Sequence, residues 1–288
     1  AGTVLVPANP ITAEDRAWWC YQPLTSPPVP EPPAALAGWC RNEIDHFVAA
    51  KLAAEQIEPA AEASATALLR RTHYAVTGLP PGPQLVADLA AGSRADAAAL
   101  DRLVDDLLAS PAYGEHQARF WLDLVRYADS DGYRADGGRP HAKLYRDYCI
   151  RSFNADKPYD RFVTEQLAGD EVDPGNRDAV VATMFLRHWI YEWNQRDVEG
   201  QWQKILDDLT ETTADVFLAQ SLKCARCHDH KFDPLLQKDF YRLQAFFAAC
   251  LPSEARPVAD LATLTAHVEQ QQAWEQATAD IRRRLDAI

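Results

Sequence analysis

Nineteen prolines punctuate this 288-residue chain, and outside its C-terminal tail no regular element runs long between them. Proline removes a helix hydrogen bond and clashes with the preceding turn, so it marks boundaries. The segments between carry the apolar spacing of amphipathic helices rather than the alternation of strands. NEIDHFVAAKLAAEQ, from Asn42, puts Ile44, Phe47, Val48 and Leu52 on one face. TALLRRTHYAVTGLPPGPQLVADLAAG reads as helix, Gly-Pro break and helix again. DAAALDRLVDDLLAS is strongly amphipathic and stops before Pro111. GEHQARFWLDLVRYAD is a further helix, and KLYRDYCIRSFNADKPYDRFVTEQLAGD gives two, parted by NADKP. QKDFYRLQAFFAAC and the tail from Leu261 to Ile288 are also helical. Residues 1–40 read as coil, with one short helical piece in ITAEDRAWWCYQPL and an extended surface connector in TSPPVPEPPAAL. The expectation is a mainly α fold, an irregular multi-helix domain with long loops and no internal repeat. It spans 41–255, with a Pro-rich extension, 1–40, packed on it and a C-terminal helix, 256–288.

Composition bounds the function. Hydrophobic residues make up 47% of the chain, enough for a sizeable core. The net charge of −13 argues against binding a nucleic-acid backbone, which needs clustered Lys and Arg. An acidic surface points instead to a partner with a basic patch. No run of about 18 apolar residues is present to span a bilayer. The opening AGTVLVPANP reads as an unstructured start of the kind left by cleavage or trimming, and does not fix the compartment.

The chemistry concentrates in SLKCARCHDHKFDP, residues 221–234, which EGQWQKILDDLTETTADVFLAQSLK delivers at a helix end. Cys224, Cys227 and His228 form Cys-x-x-Cys-His, the attachment motif of c-type haem. Two sulfurs at this spacing reach two vinyl carbons on one porphyrin edge, and the next residue offers an imidazole to the iron. Two other readings stand beside it. Cys224, Cys227, His228 and His230 are all zinc-ligand types, although adjacent Cys227 and His228 are poorly disposed to share one small ion. The two thiols can also close a small disulfide. His230 lies too close to His228 to reach the opposite haem face, and is expected to sit behind the first ligand or at a propionate.

Further candidates are individually weaker. A sixth iron ligand would come from Met184, the one methionine, or from His188 in ATMFLRHW; without it the iron stays open. Asp129, Asp131 and Asp136 form an acidic, Gly-containing loop, a candidate calcium site that lacks the full twelve-residue loop pattern. Of the remaining cysteines, Cys20 with Cys40 and Cys149 with Cys250 is the favoured disulfide pairing, against buried free thiols.

Five stretches together resemble the planctomycete-type cytochrome c family: NEIDHFVAAKL, LLRRTHYAVTGLPPGP, LDLVRYADSDGY, YDRFVTEQLAGD and CARCHDHKFDPLLQKDFYRLQAFF. The resemblance runs from about Trp18 to Phe247. It implies an exported, mostly α protein in the periplasm or another extracytoplasmic space, with one covalent haem c on Cys224, Cys227 and His228. Members often continue into a further C-terminal domain. This chain departs by carrying Cys20 and Cys40, and by Phe120-Trp121 where members often have a histidine-tryptophan pair.

The sequence thus reads as an exported monohaem c-type cytochrome that transfers single electrons to a redox partner protein or to a further domain of a longer polypeptide. A haem enzyme, a peroxidase or substrate-oxidising oxidoreductase with an open iron, is the alternative; Arg134, Arg139 and His141 would supply its polar group. The third reading is an extracellular binding module with a structural metal.

Overall fold

Polar caps open the helices where the Pro and Gly breaks place them. In the computed structural model, which describes residues 11–90, 97–133, 136–191, 196–252 and 261–285, Ser110 caps Pro111–Leu124 by accepting from the Ala112 amide, with Pro111 at the first helical position. Asn42 caps Glu43–Ala54, and Asn176 caps Arg177–Ala182. Gly78 ends Ala65–Thr77 at φ +70°, a left-handed conformation that glycine adopts without strain.

The helices are α1 (Ala13–Ala17), α2 (Glu43–Ala54), α3 (Ala65–Thr77), α4 (Pro83–Ala90), α5 (Ala97–Leu108), α6 (Pro111–Leu124), α7 (Ala142–Asn154), α8 (Tyr159–Val172), α9 (Arg177–Ala182), α10 (Val198–Thr213), α11 (Gln237–Phe247) and α12 (Leu261–Leu285). No strand forms among the described residues; Ser130 and Gly138 make an isolated bridge. The mainly α expectation holds.

Helices α6 to α9 enclose the largest core, built on Trp121, Val125, Tyr145, Tyr148, Cys149, Phe162, Val181 and Phe185. A hydrogen-bonded network runs through it. The Trp121 indole donates to Tyr145 and to Gln166 Oε1, both at 3.1 Å, and Tyr145 donates to the same Gln166 oxygen. Beside it Glu165, 4% exposed, takes bonds from Tyr148, Lys157 and Arg161. Burial alone would raise the Glu165 carboxyl, but those three donors hold it below its ordinary value. Helix α8 kinks at Ala168 and passes so close to α9 that a Cβ on Gly169 would lie 2.1 Å from the Ala179 carbonyl oxygen. A second core joins Trp189 to Ile205, Leu206, Leu209 and Phe247, between α10 and α11. A third is formed by Ala214, Leu222, Ala225 and Phe240.

Two expectations are corrected. Helix α2 forms where expected, but Ile44, Phe47 and Val48 are exposed and the buried residue is Ala49. Ala49 lies roughly 100° to 160° around the helix from those three side chains. The disulfide pairing does not form, and all six cysteines are free thiols. Cys149 lies inside the α6–α9 core, where burial pushes its thiol up to about 12, while Cys250 packs on the α10–α11 core. His46 Nδ1 meets the Pro30 carbonyl at 3.2 Å, and the Tyr21 hydroxyl donates to Gln220 at 3.4 Å. The opening residues 1–10 and the boundary at 255 lie outside the described residues. Within them, no helix is long and apolar enough to cross a membrane.

Candidate functional site

Helix α10 ends in a π turn, Ala214–Leu218, and Ala219 at φ +51° breaks it. The chain then tightens into a 3-10 turn, Leu222–Arg226. Side chains three apart in such a turn share one side, and here Leu222 and Ala225 are buried on that side against Ala214 and Phe240. Cys224 lies off that side, and the turn's end adds Cys227 and His228; all three are exposed. The Cys227 and His228 amides both point at the Cys224 carbonyl, at 3.3 and 3.5 Å, which keeps the two thiols on one short loop.

The turn is fastened from behind by α10 and α11. Gln237 Nε2 and the Tyr241 hydroxyl donate to the Arg226 carbonyl at 3.2 and 3.1 Å. Asp229 accepts from the Gln237 amide at 2.8 Å. The Arg226 guanidinium meets Asp207 at 3.3 Å and Glu211 at 3.2 Å. Glu211 is pushed up by burial and by neighbouring Asp207 and Asp208, against the pull of Arg226 and Lys223. Sequence reasoning missed these fastening residues. Asp207 and Glu211, four apart on α10, were the available signal.

The two histidines are set in opposite tautomers by their backbone contacts. His228 Nδ1 lies 2.7 Å from the Asp229 carbonyl oxygen. A carbonyl only accepts, so Nδ1 carries the proton and Nε2 keeps its lone pair. His230 Nδ1 instead accepts the Asp233 amide at 2.9 Å, which requires a bare Nδ1. His230 Nδ1 also lies 3.1 Å from the Asp233 carboxylate. His230 closes the Asp-Pro turn, helped by its own amide bonding the Leu235 carbonyl at 2.8 Å.

The zinc reading finds no geometric support, because no three His, Cys, Asp or Glu side chains converge as metal ligands among the described residues. The donor set does suit a covalently tethered haem, with two exposed free thiols and an adjacent imidazole offering a bare Nε2.

The other candidates lie elsewhere. Met184 packs on the α6–α9 core. His188, 4% exposed, sits between the rings of Tyr127 and Tyr145, at 5.4 and 4.6 Å, and its Nε2 has no hydrogen-bond partner. Burial, reinforced by Arg126, Arg139 and Arg187, lowers its pKa to about 3. The structure brings neither residue onto the turn that carries His228. The acidic loop is spoken for by protein partners. Asp129 accepts from Tyr127, Asp131 is held by Arg139 at 2.8 Å, and Asp136 accepts the Gly132 amide. Arg139 also donates to the Trp189 carbonyl, so it braces the loop instead of facing a substrate. His141 is exposed at the start of α7, and Arg134 lies outside the described residues. Phe120 is exposed while Trp121 is buried in the core network.

Residues 43–251, well over half of the chain, match the family described as PSCyt2, protein of unknown function (DUF1549). The chain belongs to that family. No curated protein and no solved structure matches it. The PSCyt2 match covers α2 to α11 and the whole cysteine-histidine turn. Its name hints at a cytochrome-like family and assigns no activity.

Proposed function

We propose that this PSCyt2 chain is an exported c-type cytochrome that carries one haem and moves single electrons. Cys224 and Cys227 would hold the haem through thioethers, with His228 as the proximal ligand. One observation carries the reading: a 3-10 turn anchored by Leu222 and Ala225, with the two residues that follow it, presents both thiols and an imidazole whose Nδ1 is engaged by a carbonyl. When bound, the haem supplies a one-electron couple. The chain's own part is to hold the turn rigid through Arg226, Gln237 and Tyr241, and to fix the His228 tautomer through the Asp229 carbonyl. Export rests on the resemblance and on the family's cytochrome-like name.

The test is an optical spectrum of protein matured with c-type haem machinery, oxidised and reduced, with and without carbon monoxide. Covalent haem that is lost in Cys224→Ala and Cys227→Ala, and spectrally altered in His228→Ala, supports the assignment. Reduced bands insensitive to carbon monoxide mark an electron carrier; a shift marks an open iron and returns the enzyme alternative. No covalent haem, with a control cytochrome maturing normally, overturns the proposal.

A further inference from the structure

Protein cores pack with few voids larger than a water molecule, yet a recess of about 290 Å³ opens between α6, α7 and α8. Trp121, Ser152, Phe153, Lys157, Tyr159 and Phe162 line it. Trp121, Ser152 and Phe162 are buried and make its floor, while Tyr159, 59% exposed, stands at its rim. The walls are rings. The Phe162 centroid lies 4.9 Å from that of Trp121 and 5.8 Å from that of Phe153. Both polar members are engaged elsewhere. The Lys157 ammonium pairs with Glu165 and lies 4.6 Å from the centre of the Tyr148 ring, so its methylene stem is what it adds to the recess. The Ser152 hydroxyl lies against that of Tyr148. Glu165 is held ionised by its three donors, so the Lys157–Glu165 pair brings no net charge to the site.

We infer that this recess is a small-molecule site for a neutral, flat ligand of two fused aromatic rings. Size sets the number of rings. A dry apolar cavity of about 150 Å³ takes one benzene, and this recess has roughly twice that volume. The lining sets the shape, since four of its six residues are aromatic and such rings favour offset-stacked or edge-on partners. The engaged ammonium sets the charge. A carboxylate on the ligand would approach Glu165, and an ammonium would approach Lys157 and Arg161, so either would lose its water without gaining a partner. An apolar concavity with few polar groups is the usual form of a ligand site, and this one stands at the small end of the range. Trp121 also lies 5.9 Å from Phe217, in the π turn that leads to the Cys-His segment. A ligand on Trp121 therefore shares a wall with the segment that carries the motif, although its binding needs no haem.

Naphthalene is the probe, read by calorimetry and by nuclear magnetic resonance on the full chain. One equivalent is expected to bind, with nuclear Overhauser contacts from its protons to the rings of Trp121, Phe153 and Phe162. Benzene should bind about tenfold more weakly, because it buries less apolar surface and leaves half of the recess unfilled. 2-Naphthoate and 1-naphthylmethylammonium should each bind at least about tenfold more weakly, because each carries an unpaired charge out of water. Phe153→Trp builds a larger ring into the recess and should weaken naphthalene binding about tenfold, with helix content unchanged by circular dichroism. Should that variant fail to fold, the contacts observed in the parent chain decide. No binding, contacts to the exposed Trp18 and Trp19 instead of the recess, or 2-naphthoate binding as tightly as naphthalene would each overturn the inference.

Discussion

His188→Leu should flatten the stability of this protein between pH 7.5 and pH 5. His188 is enclosed by Tyr127 and Tyr145, with Arg126, Arg139 and Arg187 close enough to repel a proton. Its pKa falls from 6.5 to about 3 on folding. Between those values the unfolded chain protonates this ring and the folded chain does not. The unfolded state therefore binds more protons, so stability rises with pH across the window and is lost as pH falls below 6.5. At pH 5 the shift costs about 2 kcal/mol relative to pH 7.5, since the unfolded ring is then some 1.5 pH units below its ordinary value. That is a sizeable share of a total of about 5 to 15 kcal/mol. Few carboxylates titrate in the unfolded chain above pH 5, so the histidine contribution stands apart there. Leucine has a similar volume, no titration, and removes a buried nitrogen that has no partner. Urea unfolding of both proteins at the two pH values reads the difference directly. The parent should lose about 2 kcal/mol more than the variant on acidification. Any contribution from His73, whose pKa burial also lowers, cancels in that comparison. Parallel losses would refute the reasoning and mean that His188 accepts a proton while folded.

Glu165→Gln leaves Lys157 and Arg161 without their shared carboxylate in a mostly buried site, and should cost about 3 kcal/mol at pH 7 in urea unfolding. Because the folded Glu165 pKa is lowered, that gap should narrow as pH falls below 4.5, where the parent carboxyl takes up a proton. Gly169→Ala drives a Cβ into the Ala179 carbonyl oxygen and should destabilise by about 3 kcal/mol, read as a lower urea midpoint with native helix content by circular dichroism. Arg226→Ala strips Glu211 and Asp207 of their guanidinium. Glu211, already raised by burial, should rise further, so the variant's deficit against the parent should be larger at pH 8 than at pH 5. Trp121→Phe removes the indole donor to Tyr145 and Gln166 and should cost about 1 to 2 kcal/mol, with the loss of a buried tryptophan emission checking the site.

What could be read in advance was local. The breaks at Gly78, at Pro111 and in NADKP mark helix ends because backbone chemistry acts within a turn or two, and α3, α6, α7 and α8 begin or stop beside them. The Cys224–His228 spacing is equally local, so the residues that fall on one turn were legible. Packing was not. The period of α2 is visible, but whether Ile44 or Ala49 is covered depends on what lies against the helix. Cys149 and Cys250 both sit in apolar helical patterns, and nothing in their spacing reveals that each belongs to a different core. Asp131 looked like a calcium ligand because its partner Arg139 reaches it only after the loop closes.

The charge around the motif shows the same division at a larger scale. Net charge is a sum over the chain, and −13 predicts a basic partner if the charge is spread evenly. The fold spreads it unevenly by spending acids on structure. Asp207 and Glu211 of α10 face inward to hold Arg226, and Asp229 and Asp239 are used to fasten α11. A carboxylate that accepts an amide or pairs with a guanidinium keeps its negative charge, so Asp207, Glu211, Asp229, Asp233 and Asp239 balance Lys223, Arg226, Lys231, Lys238 and Arg242 around the motif. The interactions that hold the turn are thus paired charges, and the geometry that presents Cys224, Cys227 and His228 adds little net charge beside them.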